Sequence, residues 1–309
     1  MQTALEAHFG DRLAAAVRRR KNPVVVGLDP RNEQLPPGVG DVAAAGDFSA
    51  LAAAFERFCC GLIDAVAPLV PAVKPQAACF ERLGPAGMQA LGRVVSHAAG
   101  AGLLVIMDGK RNDIGSTAEA YADGFLGRES AWGADALTVS PYLGDDSLRP
   151  FVEVAKTRGA GLFVLVKTSN PGGGQFQDLL AGGRPLYRHV GEYVERLAGE
   201  TLGAAGYGSV GAVVGATYPE QLAELRTAMP HAWFLVPGFG SQGGQAADVA
   251  GAFDSEGLGA IINNSRGIIF AHARPEYARF GAARWQEAAA AAAQDMIDQL
   301  RVETAVGKL

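Results

Sequence analysis

The sequence contains no apolar run of about eighteen residues, so a membrane-spanning helix is not expected. It has no basic excess either. Against 32 Asp and Glu stand 27 Lys and Arg, a formal net charge of −5, which argues against the positive surface of a nucleic-acid binder. The only basic run, Arg18 to Lys21, is short, and a solvated helix end explains it more simply than a phosphate patch. Cysteine is scarce: Cys59 and Cys60 adjoin in an apolar helical pattern and Cys79 stands alone, with no CxxC spacing. That excludes a disulfide framework and leaves buried small hydrophobes as the reading of all three, as suits a reducing compartment. Glu6 and Asp11 fall near the start and no signal-type apolar core accompanies them, so no export sequence is read and a cytoplasmic location is expected. The five histidines, His8, His97, His189, His231 and His272, are scattered, and neither a metal site nor a cofactor is expected.

What is present is an ordinary globular composition, 49% hydrophobic and 19% charged over 309 residues, long enough for a substantial core. Eight short apolar, β-branched runs punctuate it: Val24 to Leu28, Ala72 to Lys74, Leu103 to Met107, Ala136 to Val139, Leu162 to Val166, Val210 to Val214, Trp233 to Val236 and Gly259 to Ile262. Continuous apolar runs suit strands buried on both faces, the condition of a parallel sheet covered by helices. Between them lie helix signals. Phe55, Phe58, Cys59, Leu62, Ile63 and Val66 recur at helical spacing, Ser116 with Glu119 and Thr217 with Glu220 read as capping boxes, and Gly100 and Gly159 mark stops. Eight strand-then-helix units predict an α/β chain folded as one (β/α)8 TIM barrel domain over residues 1–309, with terminal helices at about 1–20 and 276–303. A doubly wound open sheet is the alternative the pattern leaves open.

In a barrel of this kind the chemistry sits at the carboxyl ends of the strands. Polar residues stand there: Asp29, Lys74, Asp108 with Lys110, Thr168 with Ser169, and Asn263 with Asn264. Positions i and i+2 of a strand share a face, so Asp108 and Lys110 are expected to project together into the mouth, with Asp113 opening the next loop. The loop from Asn170 to Pro185, rich in glycine, reads as mobile or irregular. A lysine fixed in such a site can stabilise electron density on a reacting carbon and then protonate it, which an arginine does not do.

The string Met107-Asp108-Gly109-Lys110-Arg111-Asn112-Asp113-Ile114-Gly115-Ser116-Thr117-Ala118 resembles the signature of the orotidine 5'-phosphate decarboxylases. Further segments agree in order: Gly27-Leu28-Asp29-Pro30, Val73-Lys74-Pro75-Gln76, Thr168-Ser169-Asn170-Pro171-Gly172, Pro237 to Gly244, and Asn264-Ser265-Arg266-Gly267. The resemblance spans Gly27 to about Phe270 and is to the larger bacterial branch. It implies that Lys110 donates a proton to C6 of the pyrimidine of orotidine 5'-monophosphate, with Asp108 against the departing carboxylate. It further implies a homodimer in which Asp113 and Thr117 reach the partner's ribose. Asp29 and Lys74 are implied as ribose ligands, Ser169 as a contact of the base, and Arg266 as the phosphate contact. Gln242 links base and phosphate in this reading, and Pro237 belongs to the same substrate-binding set. Two other functions stay open: a metal-dependent sugar-phosphate decarboxylase or aldolase on the same barrel, which needs further carboxylate ligands, and a nucleotide-binding regulator without catalysis.

Overall fold

The computed structural model describes residues 8–39, 46–240 and 244–309. Eight parallel strands close into a barrel: Val24–Leu28, Ala72–Pro75, Leu104–Arg111, Ala136–Val139, Gly161–Lys167, Val210–Val214, Phe234–Val236 and Ala260–Asn264. Each neighbours the next in chain order, and the first pairs with the last through Val24 opposite Ile262. The closed ring selects the barrel over the open sheet.

Alternation along the strands builds two cores. Val24, Val26, Val73, Val105, Met107, Val139 and Ile262 point outward into the layer beneath the helices, while Val25, Ala72, Leu104, Ile106, Ala136, Phe163 and Ile261 point inward. The inward core also takes in a helix. The helix Phe9–Arg20 completes it, plugging the amino-terminal end of the barrel with Phe9, Leu13, Ala14 and Val17. Phe9 meets Phe163 edge-on, ring centroids 6.0 Å apart, and lies where any Cβ on Gly161 would strike its ring. Each buried side chain of this size contributes roughly 1.5–3 kcal/mol. Polar contacts orient the plug: Arg12 pairs with buried Asp135 at 2.5 Å, Asp11 accepts the backbone N–H groups of Ala204 and Ala205, and His8 reaches the Thr201 carbonyl.

Several local expectations are corrected. The carboxy-terminal helix runs Trp285–Glu303, not from residue 276, because Pro275–Phe280 and Ala282–Arg284 are 3-10 turns separated by Gly281 at φ 63°. Neither capping box forms. The helix Gly115–Phe125 starts one residue before Ser116, and Pro219–Ala228 begins on its proline, leaving Thr217 outside; proline's fixed φ suits the first helical turn. The loop from Asn170 to Pro185 is built of short regular pieces, a 3-10 turn Pro171–Gly173, a helical turn Gly174–Gln177 and a hairpin pairing Leu180–Ala181 with Arg184–Pro185. Gly182 and Gly183, at φ 59° and 79°, make the two-residue hairpin turn that requires positive φ at both positions. Of the cysteines, Cys59 is buried, whereas Cys60 and Cys79 are only half-buried.

Candidate active site

The parity that sends Val25, Ala72, Ile106, Ala136 and Ile261 into the barrel carries Lys74, Asp108, Thr138 and Asn263, each two residues further along, and Asp29, four further along and just past its strand, into the mouth. Asp108 is the hub. One carboxylate oxygen accepts from Lys74 Nζ at 2.5 Å and from Gln76 Nε2 at 3.1 Å; the other accepts from Lys110 Nζ at 2.5 Å and from Thr138 Oγ1 at 3.0 Å. Burial by itself would push this carboxyl up, but the charges of Lys74 and Lys110 and their hydrogen bonds outweigh it and hold Asp108 well below the ordinary carboxylate range. Lys74 shows the mirror image: burial opposes its charge, and Asp108 with Asp29 raises it above the usual lysine value. The stabilisation carried by ionised Asp108 is therefore present above the ordinary carboxylate pKa and is eroded as pH falls toward its lowered folded value, while that carried by Lys74 is lost only as pH rises through its raised one. Two lysine side chains thus converge on one carboxylate.

Lys110 reaches Asp108, although not by simple strand alternation. The third strand shifts register against the fourth between Met107 and Arg111, and Lys110 takes φ 46°. Left-handed backbone costs a non-glycine residue about 1–2 kcal/mol. Its backbone N–H is compensated by donating to Thr138 Oγ1 at 2.9 Å, and the ammonium turns back onto Asp108 while about half of the side chain stays exposed.

Two chambers meet at this network. A cavity of about 580 Å³ is lined by Lys74, Asp108, Lys110, Thr168, Ser169 and Pro237 among others, and a smaller one of about 160 Å³ by Asp29, Asn263, Arg266 and again Lys74, Asp108 and Pro237. The larger is of small-ligand size. In the smaller, buried oxygens of Asp29 and Asn263 have no hydrogen-bond partner among the described residues. Asp113 and Thr117 line neither chamber: Asp113 accepts the N–H of Ile114 at 2.9 Å, and Thr117 is exposed. Asp113 therefore does not flank Lys110 within one chain. Gln242 lies outside the described residues. No group of three or more His, Cys, Asp or Glu side chains suited to a metal occurs among the described residues.

Sequence reasoning missed two contributors. Thr138 was hidden in an apolar run, its only mark being that it is the single polar residue between Ala136 and Val139. Lys167 ends the fifth strand and is almost wholly buried. Its ammonium pairs with Asp178 at 2.5 Å and lies 4.7 Å and 5.3 Å from the ring centres of Tyr218 and Tyr187. That pair, together with Gln177 bonded to the Thr168 backbone and hydroxyl, fastens the loop whose Gly172, Gly173 and Phe176 wall the larger chamber.

The comparisons with known proteins agree. The family profile described as orotidine 5'-phosphate decarboxylase / HUMPS matches residues 22–279. A curated Rhodopirellula baltica protein named orotidine 5'-phosphate decarboxylase is 59% identical over 95% of this chain and 99% of its own, and one of that name from Deinococcus radiodurans is 43% identical over 85% and 89%. The solved structure of Leishmania donovani OMP decarboxylase superposes with a TM-score of 0.73 at 34% identity, covering 96% of this chain and 98% of that one.

Proposed function

Because the chain belongs to the orotidine 5'-phosphate decarboxylase / HUMPS family, we propose that it converts orotidine 5'-monophosphate to uridine 5'-monophosphate in pyrimidine biosynthesis, with Lys110 as the proton donor. The observation that carries this reading is the chain of ionic contacts Lys74–Asp108–Lys110 at the junction of the two chambers. The C6–carboxylate bond breaks with its electron pair remaining on C6, carbon dioxide departs, and a proton passes from Lys110 Nζ to C6. Unit charges about 4 Å apart interact by roughly 1 kcal/mol in water but about 4 kcal/mol at an effective dielectric of 20, so a closed mouth amplifies the effect of the ammonium. Asp108 occupies the side from which the carboxylate leaves and keeps Lys110 aimed.

In this reading Asp29 and Lys74 bind the ribose hydroxyls from the smaller chamber, and Ser169, with Pro237 beside it, faces the base from the larger. Arg266 holds the phosphate, and Gln242 bridges phosphate and base. Binding energy collected at the remote phosphate draws the loops closed over the reacting ring. Replacing Arg266 with Ala is accordingly expected to raise KM by about 10- to 100-fold, with a smaller effect on kcat, in steady-state kinetics.

Asp113 and Thr117 act in this reading on a second copy of the chain. Ile114, 56% exposed between them, and Tyr142 and Leu143, exposed just beyond the fourth strand, supply apolar surface at the same end of the barrel. The protein is then a homodimer with shared sites, working in the cytoplasm on a free nucleotide, not on nucleic acid or at a membrane. No helix among the described residues is long and apolar enough to cross a bilayer.

The direct test is ultraviolet observation of orotidine 5'-monophosphate turnover by purified, chelator-treated protein. Turnover that persists is expected. Loss on chelation, restored by a divalent ion, would point instead to the metal-using sugar-phosphate chemistry of the same barrel group, and binding without turnover to a regulator.

A further inference from the structure

We infer that Arg111 is a positioning residue for the proposed proton donor: its guanidinium clamps the turn of backbone that throws Lys110 into its left-handed conformation. This rests on the reading of Lys110 as proton donor. Lys110 and Lys21 are the only described non-glycine residues with positive φ, and the two differ in kind. Lys21 caps the end of a helix, where a left-handed residue is common. Lys110 sits inside a barrel strand, at the register shift between Met107 and Arg111, and something must hold it there.

Three contacts converge on that stretch. Thr138 Oγ1 accepts the Lys110 N–H at 2.9 Å, the Arg111 carbonyl accepts the Ser140 N–H at 3.0 Å, and Arg111 Nη1 donates to the Gly109 carbonyl at 2.7 Å. The last is a side chain gripping the backbone two residues before it, so it closes the bulge upon itself. Arg111 is itself fixed. Nη2 is paired with Glu81 from the helix Ala77–Glu81 after the second strand, and the guanidinium lies 5.2 Å and 5.6 Å from the ring centres of Phe125 and Tyr121 on the helix Gly115–Phe125 after the third. The planar fork thus spans the second strand's helix, the bulge and the third strand's helix at once, which a lysine's single ammonium cannot do. Arg111 lines neither chamber and is not a catalytic residue. Its effect on turnover passes through the placement of Lys110.

Arg111→Met and Arg111→Lys are the informative changes, each measured for kcat, KM, affinity for uridine 5'-monophosphate and melting temperature. Both are expected to lower kcat about 10- to 100-fold, the loss that a displacement of the order of 1 Å brings to a reacting group. KM and product affinity should stay within about threefold, because the ribose and phosphate contacts are untouched. In Arg111→Ala, millimolar guanidinium should recover part of kcat while equal concentrations of ammonium or sodium do not. Full kcat in either folded variant, a loss confined to KM, or equal rescue by sodium would overturn the inference. If Arg111→Met does not fold, Arg111→Lys decides alone, since it keeps the charge beside Glu81 and removes only the fork. The underlying reading fails separately: unchanged turnover in Lys110→Ala removes it whatever Arg111 does, whereas an inactive Lys110→Ala beside a fully active Arg111→Met removes only the positioning role.

Discussion

Lys110→Ala is expected to lose roughly four orders of magnitude or more in kcat, while binding of uridine 5'-monophosphate survives to within about tenfold. Two losses combine. The variant has no proton to deliver at C6, for which general acid catalysis alone accounts for about 10²- to 10⁴-fold, and it has no cation to stabilise the electron pair that decarboxylation leaves on the ring. Binding survives because Lys74 remains on Asp108, so the carboxylate keeps a buried counter-charge at 2.5 Å, and because Asp29, Ser169 and Arg266 follow the ends of other strands. Single-turnover measurement with saturating substrate separates chemistry from binding. Turnover within tenfold of the unaltered enzyme would remove Lys110 from the mechanism, and a complete loss of product binding would recast it as a structural cation.

Equal amounts of Lys110→Ala and Asp113→Ala chains, each nearly inactive alone, are expected to recover about one quarter of the unaltered activity when subunits exchange. In a two-fold dimer with shared sites, each site takes Lys110 from one chain and Asp113 from the other. Half of the dimers are then mixed, and in each mixed dimer one site holds both changes and the other neither. The outward placement of Asp113 and Thr117 motivates the experiment, since neither lines a chamber of its own chain. Subunit exchange is verified independently by mass measurement of tagged chains. Exchange without recovery would place Asp113 in a role internal to one chain and require another explanation for exposed Ile114 and Tyr142.

The barrel was legible because its strands are buried on both faces and so written as unbroken apolar runs. Val24–Leu28, Ala136–Val139 and Val210–Val214 begin and end where the runs do. Helix beginnings were less legible. Serine or threonine followed by glutamate three residues on is a local pattern, and at Ser116 and Thr217 the competing demands of Gly115 at φ 52° and of Pro219 set the start instead. In the site, the search for polar residues at strand ends singled out Asp29, Lys74, Asp108, Lys110 and Ser169, the family resemblance added Pro237 and Arg266, and all seven line the two chambers. Neither foretold how Lys110 gets there. A register shift and a left-handed residue have no signature in a string that reads as a plain strand end, and the threonine that satisfies them stands on a different strand. Lys167 escaped notice for a related reason: the apolar run stops at Val166, and nothing local marks the next residue as buried against Tyr187, Tyr218 and the Asp178 carboxylate.

The plug at the amino-terminal end of the barrel bears on how the chain comes to be folded at all. Its seat is made of residues as far along as Thr201, Ala204, Ala205 and Trp233, and the strand that follows it pairs with Ile262. The plug therefore leaves the ribosome well before the residues that seat it, and closure of the ring and seating of the plug are late, long-range events of the slow, non-local kind. Stalled nascent chains should show it: amide protection in Val24–Leu28 is expected only in chains released beyond Asn264, and early protection there would contradict this order.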